Sequence, residues 1–455
     1  MFKDRFKKEL KTTIKLAVPI IIAQLGVVLM GVTDNVMVGR LLGKVPLGAS
    51  GIANSIAFLI SSLAVGGMSV VAPMVSKYYA EKDSSGLKEL YVSTLWVTGI
   101  FSVVLTGMGY VAYANFQWFQ QPDIINQTSS DFLWILILSN IPLYFFISLK
   151  QFSDGLSKAK IAMVITTFGL GFNIIVNYFL ITGTAWWAPM GLLGAAYATF
   201  LTRILMAVLL FVYFKYSKSF SHYFSHLSFT FNKGLVSEIL KRSIPGGSQF
   251  FFEIAAFSFA VIMMGWISET ALAAHQIAIN IASTTYMMAT GISFAGGIRV
   301  GEAWGQRSPK GIRTAGYASY FLVLAFMGIS MMLILLFDNA LLGFYIDDQE
   351  VITAALPLLA IAAFFQLSDG FQVVGLGVLR GLSDIKIPTI ITFVAYWCVA
   401  LPLGYFLGFK FGFKAQGIWW GLLVGLSLSG VFLYARFNNL TSSAALRRRF
   451  VTGAK

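Results

Sequence analysis

The feature that most constrains this chain is a succession of apolar runs, each long enough to cross a bilayer. A spanning helix needs about 20 mostly apolar residues. Twelve such runs are legible, at 14–38, 50–73, 91–114, 131–150, 161–183, 190–214, 240–266, 272–298, 315–337, 352–379, 386–409 and 416–437. In hydrocarbon, backbone N–H and C=O groups must be satisfied within the protein, and a run of this length does so as a helix. The expected fold is therefore an all-α polytopic membrane protein with twelve transmembrane helices. Composition agrees: 57% of the 455 residues are hydrophobic and 11% charged, against about 25% charged in a soluble domain.

The net charge of +14 comes from 33 Lys and Arg against 19 Asp and Glu. In a soluble protein this would point to nucleic acid. Here no basic stretch is interleaved with aromatics in a polar domain, so no nucleic-acid partner is expected. The cations instead cluster at alternate ends of the spans. One set comprises Lys3, Arg5, Lys7, Lys8, Lys11 and Lys15; Lys77, Lys82 and Lys88; Lys150, Lys158 and Lys160; Lys215, Lys218, Lys233, Lys241 and Arg242; Arg299, Arg307, Lys310 and Arg313; Arg380 and Lys386; and Arg447, Arg448 and Arg449. The opposite connections 114–130 and 183–190 hold no Lys or Arg, and 338–351 is acidic. Arg40, Lys44, Lys410 and Lys414 are the exceptions. This asymmetry places both termini in the cytoplasm of a multi-pass protein of the cell inner (plasma) membrane. The basic start, MFKDRFKKELKTTIK, runs into an apolar span without a small-residue cleavage site, which predicts a retained first helix. With Cys398 as the single cysteine, the chain has neither an internal disulfide nor a CxxC pair, and neither a metal nor another cofactor is expected.

The chain repeats itself. Pro19 and Pro245 stand 226 residues apart, as do Gly39 and Gly265. LGASGIAN (47–54) resembles LAAHQIAIN (272–280) at a shift of 225, and Gly66/Gly291 and Tyr79/Trp304 share that shift. DGLSKAKI (154–161) matches RGLSDIKI (380–387) at 226. Six spans per half give both halves the same polarity, which predicts two pseudo-symmetric six-helix bundles with a cavity between them. The boundaries expected are an N-lobe at 1–214, a cytoplasmic linker at 215–239, a C-lobe at 240–440 and a basic cytoplasmic tail at 441–455.

Three carboxylates, Asp34, Glu253 and Asp369, lie inside the apolar runs, whereas nearly all other acids lie in or beside polar breaks. An ionisable group at membrane depth costs at least a few kcal/mol, and marks an ion or substrate pathway. The repeat does not generate these acids: their partner positions are Ala260, Val27 and Leu143. Such carboxylates suit the exchange of H⁺, or, with amide and carbonyl oxygens, the binding of Na⁺. Asn173 and Asn177 are spaced to share one helix face. With Asp34 they would supply oxygens and donors at one spot.

The segments VTDNVMVGRLLG (32–43), FFFE (250–253) and QLSDGFQVVGLGVLRGLSD (366–384) resemble those of the multidrug and toxic compound extrusion (MATE) family, in its bacterial multidrug exporter branch. The resemblance extends over nearly the whole chain. It implies two six-helix bundles forming a V around a central cavity. It also implies a secondary transporter, not an enzyme, that exports organic cations in exchange for H⁺ or Na⁺ as coupling ion. Residue by residue, Asp34 matches the family's first-helix carboxylate, Asn173 and Asn177 its fifth-helix polar pair, and Glu253 and Asp369 its second-lobe cation-site acids. Some members carry a tyrosine one turn before the tenth-helix aspartate; Phe365 stands there in this chain and offers no hydroxyl.

Gln276, Asn280 and Tyr286 on the eighth span, with neighbouring Phe and Met, are candidates for a drug-facing surface. Pro19 and Pro245 fall inside spans, where proline favours a kink or a hinge. Arg203 lies deep in its span and is expected to snorkel or brace neighbours. His275 reads as a satisfied interface residue, and the His222–His226 pair as part of an amphipathic linker. The expected partners are small organic cations and the lipid bilayer, with the protein a monomer. A lipid-linked oligosaccharide flippase is the alternative reading, but its pyrophosphate substrate calls for a cationic lining. A membrane-embedded enzyme is more remote, because no nucleophile or metal motif surrounds the acids.

Overall fold

The computed structural model describes residues 2–119, 123–184, 188–218, 220 and 229–452. Every regular element among them is helical. The helices are α1 (Phe2–Leu42), α2 (Lys44–Met68), α3 (Val71–Ala80), α4 (Ser84–Ala114), α5 (Asp123–Gly155), α6 (Lys160–Thr182), α7 (Gly191–Tyr216), α8 (Lys233–Gly265), α9 (Glu269–Gly305), α10 (Pro309–Leu336), α11 (Asp338–Tyr345), α12 (Gln349–Gly381), α13 (Lys386–Lys410, with two π-helical stretches), α14 (Lys414–Leu440) and α15 (Ser443–Thr452). Among the described residues, eleven helical segments are apolar and long enough to cross a membrane. The remaining expected span, 272–298, lies within α9, which runs 37 residues. Its polar content keeps it out of the apolar class. Each of the twelve expected spans falls largely on helix, that at 50–73 divided between α2 and α3, and the chain is an all-α, multi-helix protein of the kind the apolar runs imply.

Two packing units emerge: Ile22–Gly247, and residues up to Ile21 together with Ser248–Lys455. Their boundaries fall inside α1 and α8, just past Pro19 and Pro245, and both helices continue through these prolines. The Ile22–Gly247 unit has a core of Ala53, Phe116, Leu133, Leu136, Ala195 and their neighbours. The other unit is built around Met263, Ala278, Leu358, Tyr396 and Trp419. In this second unit Glu9 near the chain start accepts two hydrogen bonds from Arg299 of α9, at 2.7 and 2.9 Å. That bidentate geometry fixes the cationic end of α1 against α9.

The repeat read from sequence is visible as repeated local structure. Lys82 and Arg307 both take positive φ, at 58° and 50°, as do Ser157 and Ser383, at 58° and 61°. The next residues, Asp83 and Ser308, each cap a helix by accepting from a glycine N–H three residues on, at 2.8 and 3.1 Å. Close packing repeats too. A Cβ at Gly155 would meet the Ala72 carbonyl oxygen at 2.5 Å and Val75 Cβ at 2.6 Å; one at Gly381 would meet the Gly297 carbonyl oxygen at 2.6 Å and Val300 Cβ at 2.8 Å. Both glycines let two helix backbones touch, the small-residue packing that apolar surroundings demand. Gly381→Val is therefore expected to destabilise the protein by about 1–3 kcal/mol or more, since backbone must move. A lowered melting midpoint of the detergent-solubilised protein checks this; an unchanged midpoint contradicts it.

Candidate functional site

The sequence-selected acids fall in two separate clusters, one in each unit. In the Ile22–Gly247 unit, Asp34 projects from the second half of α1. Its carboxylate accepts from Asn177 Nδ2 of α6 and, at 2.7 Å, from Thr199 Oγ1 of α7. Asn173, one turn before Asn177, is fully buried and within electrostatic reach of Asp34. The Oδ1 atoms of both asparagines are buried without a partner among the described residues. Asp34 thus faces neutral donors, with spare amide oxygens close by. Arg203 lies one turn beyond Thr199 and donates to Ser139 Oγ and Asn140 Oδ1, both at 2.6 Å. It forms no ion pair with Asp34, so it braces α7 against α5 and acts on the acid only through space.

In the second unit Glu253 of α8 is 4% exposed. Its oxygens accept from Gln249 Nε2 and Tyr286 OH, each at 3.1 Å. Asp369 of α12 is equally buried, senses the Glu253 charge, and has no hydrogen-bond or ion-pair partner among the described residues. Tyr396 from α13 completes the cluster and exchanges hydrogen bonds with Gln372 at 3.1 and 3.2 Å. Arg380 donates to Gln249 Oε1 and lies 5.8 Å from the centre of the Phe250 ring. It reaches Glu253 through Gln249, not directly. Phe365, buried against Phe257 and Trp419, brings no polar atom, but the phenols of Tyr286 and Tyr396 supply hydroxyls close by.

The remaining sequence candidates are spread out. Tyr286 belongs to the Glu253 cluster, whereas Gln276 and Asn280 lie on an exposed stripe of α9. His275 is fully buried beside Trp419, with neither ring nitrogen partnered among the described residues, so it differs from the satisfied interface residue expected. His222 and His226 lie outside the described residues. Reading from sequence missed Thr199, Gln249, Gln372 and Tyr396. Thr199 and Gln249 each stand four residues from a deep charged group, Arg203 and Glu253, and that spacing was the available signal. It also counted Lys150 and Arg380 with the loop cations. Lys150 is instead buried in α5 and paired with Asp154 at 2.8 Å, and Arg380 is buried in α12.

Comparison with known proteins settles the family. The MatE family model matches residues 19–179 and again 245–406, together more than half of the chain. The chain belongs to the MatE family. Its two matched segments begin 226 residues apart, the offset of Pro19 and Pro245. Among curated relatives, a protein of Brucella suis biovar 1 (strain 1330) named "Probable multidrug resistance protein NorM" is 32% identical over 446 residues, covering 95% of this chain and 94% of that protein. A protein of the same name from Bacillus cereus (strain ATCC 10987 / NRS 248) is 30% identical, covering 98% of each chain. Among solved structures, the eukaryotic MATE transporter AtDTX14 superposes with a TM-score of 0.86 at 20% identity, over 97% of this chain and 99% of that one. An outward-facing multidrug resistance MATE transporter gives 0.87 at 17% identity, over 97% of both chains. At these identities the structures establish the fold, and the chain is a multi-pass MATE-type membrane protein.

Proposed function

We propose that this MatE protein is a multidrug exporter that expels cationic, amphipathic organic compounds by exchanging them for H⁺ or Na⁺. One observation carries this reading: Asp34 is half-buried and Glu253 and Asp369 are buried among hydrogen-bonding side chains, and none of the three has an ion-pair partner among the described residues. A buried charge without a counter-ion persists when a mobile cation or proton completes it. Asp34, Asn173, Asn177 and Thr199 would form one cation-coupling group, and Glu253 and Asp369, flanked by Tyr286 and Tyr396, the other. The relatives named as multidrug resistance proteins support the class of cargo.

The proposed cycle follows from charge. Cation binding from outside neutralises the acids, which weakens their hold on a cationic drug and favours its release outward. Loss of the cation to the cytoplasm restores negative charge for the next drug. Ion and drug are coupled to the extent that each changes the other's affinity. Gln276 and Asn280, on the exposed stripe of α9, are proposed to contact cargo. Pro19 and Pro245 are proposed as the points where α1 and α8 bend, and both termini are proposed to be cytoplasmic. Everted vesicles test the reading: membranes containing the protein should concentrate ethidium when energised, and membranes containing Asp34→Asn should do so far less. Equal accumulation by both would remove Asp34 from the mechanism.

A further inference from the structure

The helix ends that begin α9, α12 and α14 line an open cavity of about 820 Å³, well separated along α12 from Asp369. Ile267, Leu358 and Phe413 give it an apolar wall, while Glu350 and Lys414 are its charged lining, with Thr270, Ser268, Gln349, Thr353 and Gln416 as its neutral polar residues. Thr270 Oγ1 donates to Glu350 Oε1 at 3.0 Å, which orients the carboxylate and leaves Oε2 available. Glu350 and Lys414 are not paired with each other, and neither has an ion-pair partner among the described residues. The cavity therefore presents one oriented anion, Glu350, and one exposed cation, Lys414, not paired with each other, beside an apolar surface.

Its level along the helices narrows the occupant. The apolar stretches of α12 and α14 begin here, and Trp266, Phe344, Phe411 and Phe413 are all exposed at this end. Exposed aromatics at helix ends mark the membrane–water interface, where phospholipid headgroups lie. A soluble zwitterion would make no use of the apolar wall or the aromatic rim. A phospholipid would: its phosphate pairs with Lys414, its acyl chains cover Ile267 and Phe413, and its terminal ammonium faces Glu350. A primary ammonium donates hydrogen bonds to the free carboxylate oxygen, whereas a quaternary choline has no N–H to donate. We propose that this cavity is a binding site for an aminophospholipid headgroup, separate from the acid clusters and independent of the transport reading.

The test uses the intact protein in nanodiscs containing equal parts of phosphatidylethanolamine, phosphatidylcholine and phosphatidylglycerol, with retained lipid read by native mass spectrometry. Phosphatidylethanolamine should be retained over phosphatidylcholine by about three- to tenfold, the net size of one ordinary hydrogen bond made at an exposed site. Glu350→Gln should equalise these two lipids, and Lys414→Gln should lower retention of all three. Both positions are exposed, so the melting midpoint should not change. Equal retention of the three lipids by the wild-type protein overturns the proposal without any variant. Preferential retention of phosphatidylglycerol overturns the role given to Glu350. Displacement of the bound lipid by millimolar phosphoethanolamine would show that the headgroup alone suffices, and would overturn the contribution of the apolar wall.

Discussion

Glu253→Gln and Asp369→Asn are each expected to leave a folded, membrane-inserted protein that no longer expels ethidium-like dyes. Both substitutions preserve shape. The glutamine at 253 still accepts from Tyr286 or Gln249, which now lie 3.1 Å from the carboxylate. The asparagine at 369 gains amide donors where the aspartate has no partner among the described residues. The change is therefore one of charge. Removing one member of a buried charge pair is worth about 3–5 kcal/mol, and a cation bound in this site would lose a comparable amount. Efflux should fall by about a hundredfold or more, because each 1.4 kcal/mol is tenfold in affinity. Efflux rates in cells, normalised to the protein in the membrane fraction, check this. Near-wild-type efflux from either well-inserted variant would exclude that acid from the coupling.

Lys150→Met should destabilise the protein more than any surface change. Lys150 and Asp154 pair at 2.8 Å with side chains only 5% and 2% exposed. Without the ammonium, Asp154 is left charged in an apolar setting, at about 3–5 kcal/mol. The backbone has little room to relieve it, since Gly155 packs directly on the Ala72 carbonyl. The double variant Lys150→Met, Asp154→Leu removes both charges, and should recover most of the lost stability, because an apolar pair of similar volume often replaces a buried ion pair without loss. Melting curves of the purified single and double variants decide the matter. A double variant no more stable than Lys150→Met would show that the pair is not the source of the effect.

The spans were legible in the sequence because burying backbone in lipid demands long apolar helices, and hydropathy reports that demand directly. Helix ends were less legible. The first expected span was 14–38, but α1 runs Phe2–Leu42, since its polar first turns remain helical beyond the apolar stretch. The expected span 50–73 crosses the break between α2 and α3 at Ser69 and Val70, where Gly66 and Gly67 before it and Pro73 after it are the only sequence marks inside a continuous apolar run. The repeat could be read in DGLSKAKI and RGLSDIKI because Gly155 and Gly381 must be small where backbones meet, whereas the equivalent caps Asp83 and Ser308 differ in residue type and left no repeat signal. Asp34, Glu253 and Asp369 stood out as charges among apolar residues. Their partners did not: Thr199 and Tyr396 resemble the ordinary content of a membrane helix, and only three-dimensional packing brings them to the acids. Lys150 and Arg380 were misassigned for the related reason that a sequence window registers a charge without registering what covers it. The division of packing at Ile21 and Gly247 falls inside unbroken helices, and its sequence mark is the pair Pro19 and Pro245 two residues before each boundary, read as kink sites and not as unit boundaries.

Ethidium transport by purified protein in liposomes, with Na⁺ and pH gradients imposed one at a time, tests the central claim most directly. The account predicts dye movement against its own gradient under at least one of the two cation gradients, and none with Glu253→Gln or Asp369→Asn. Transport that ignores both gradients, or that persists in those variants, would contradict it.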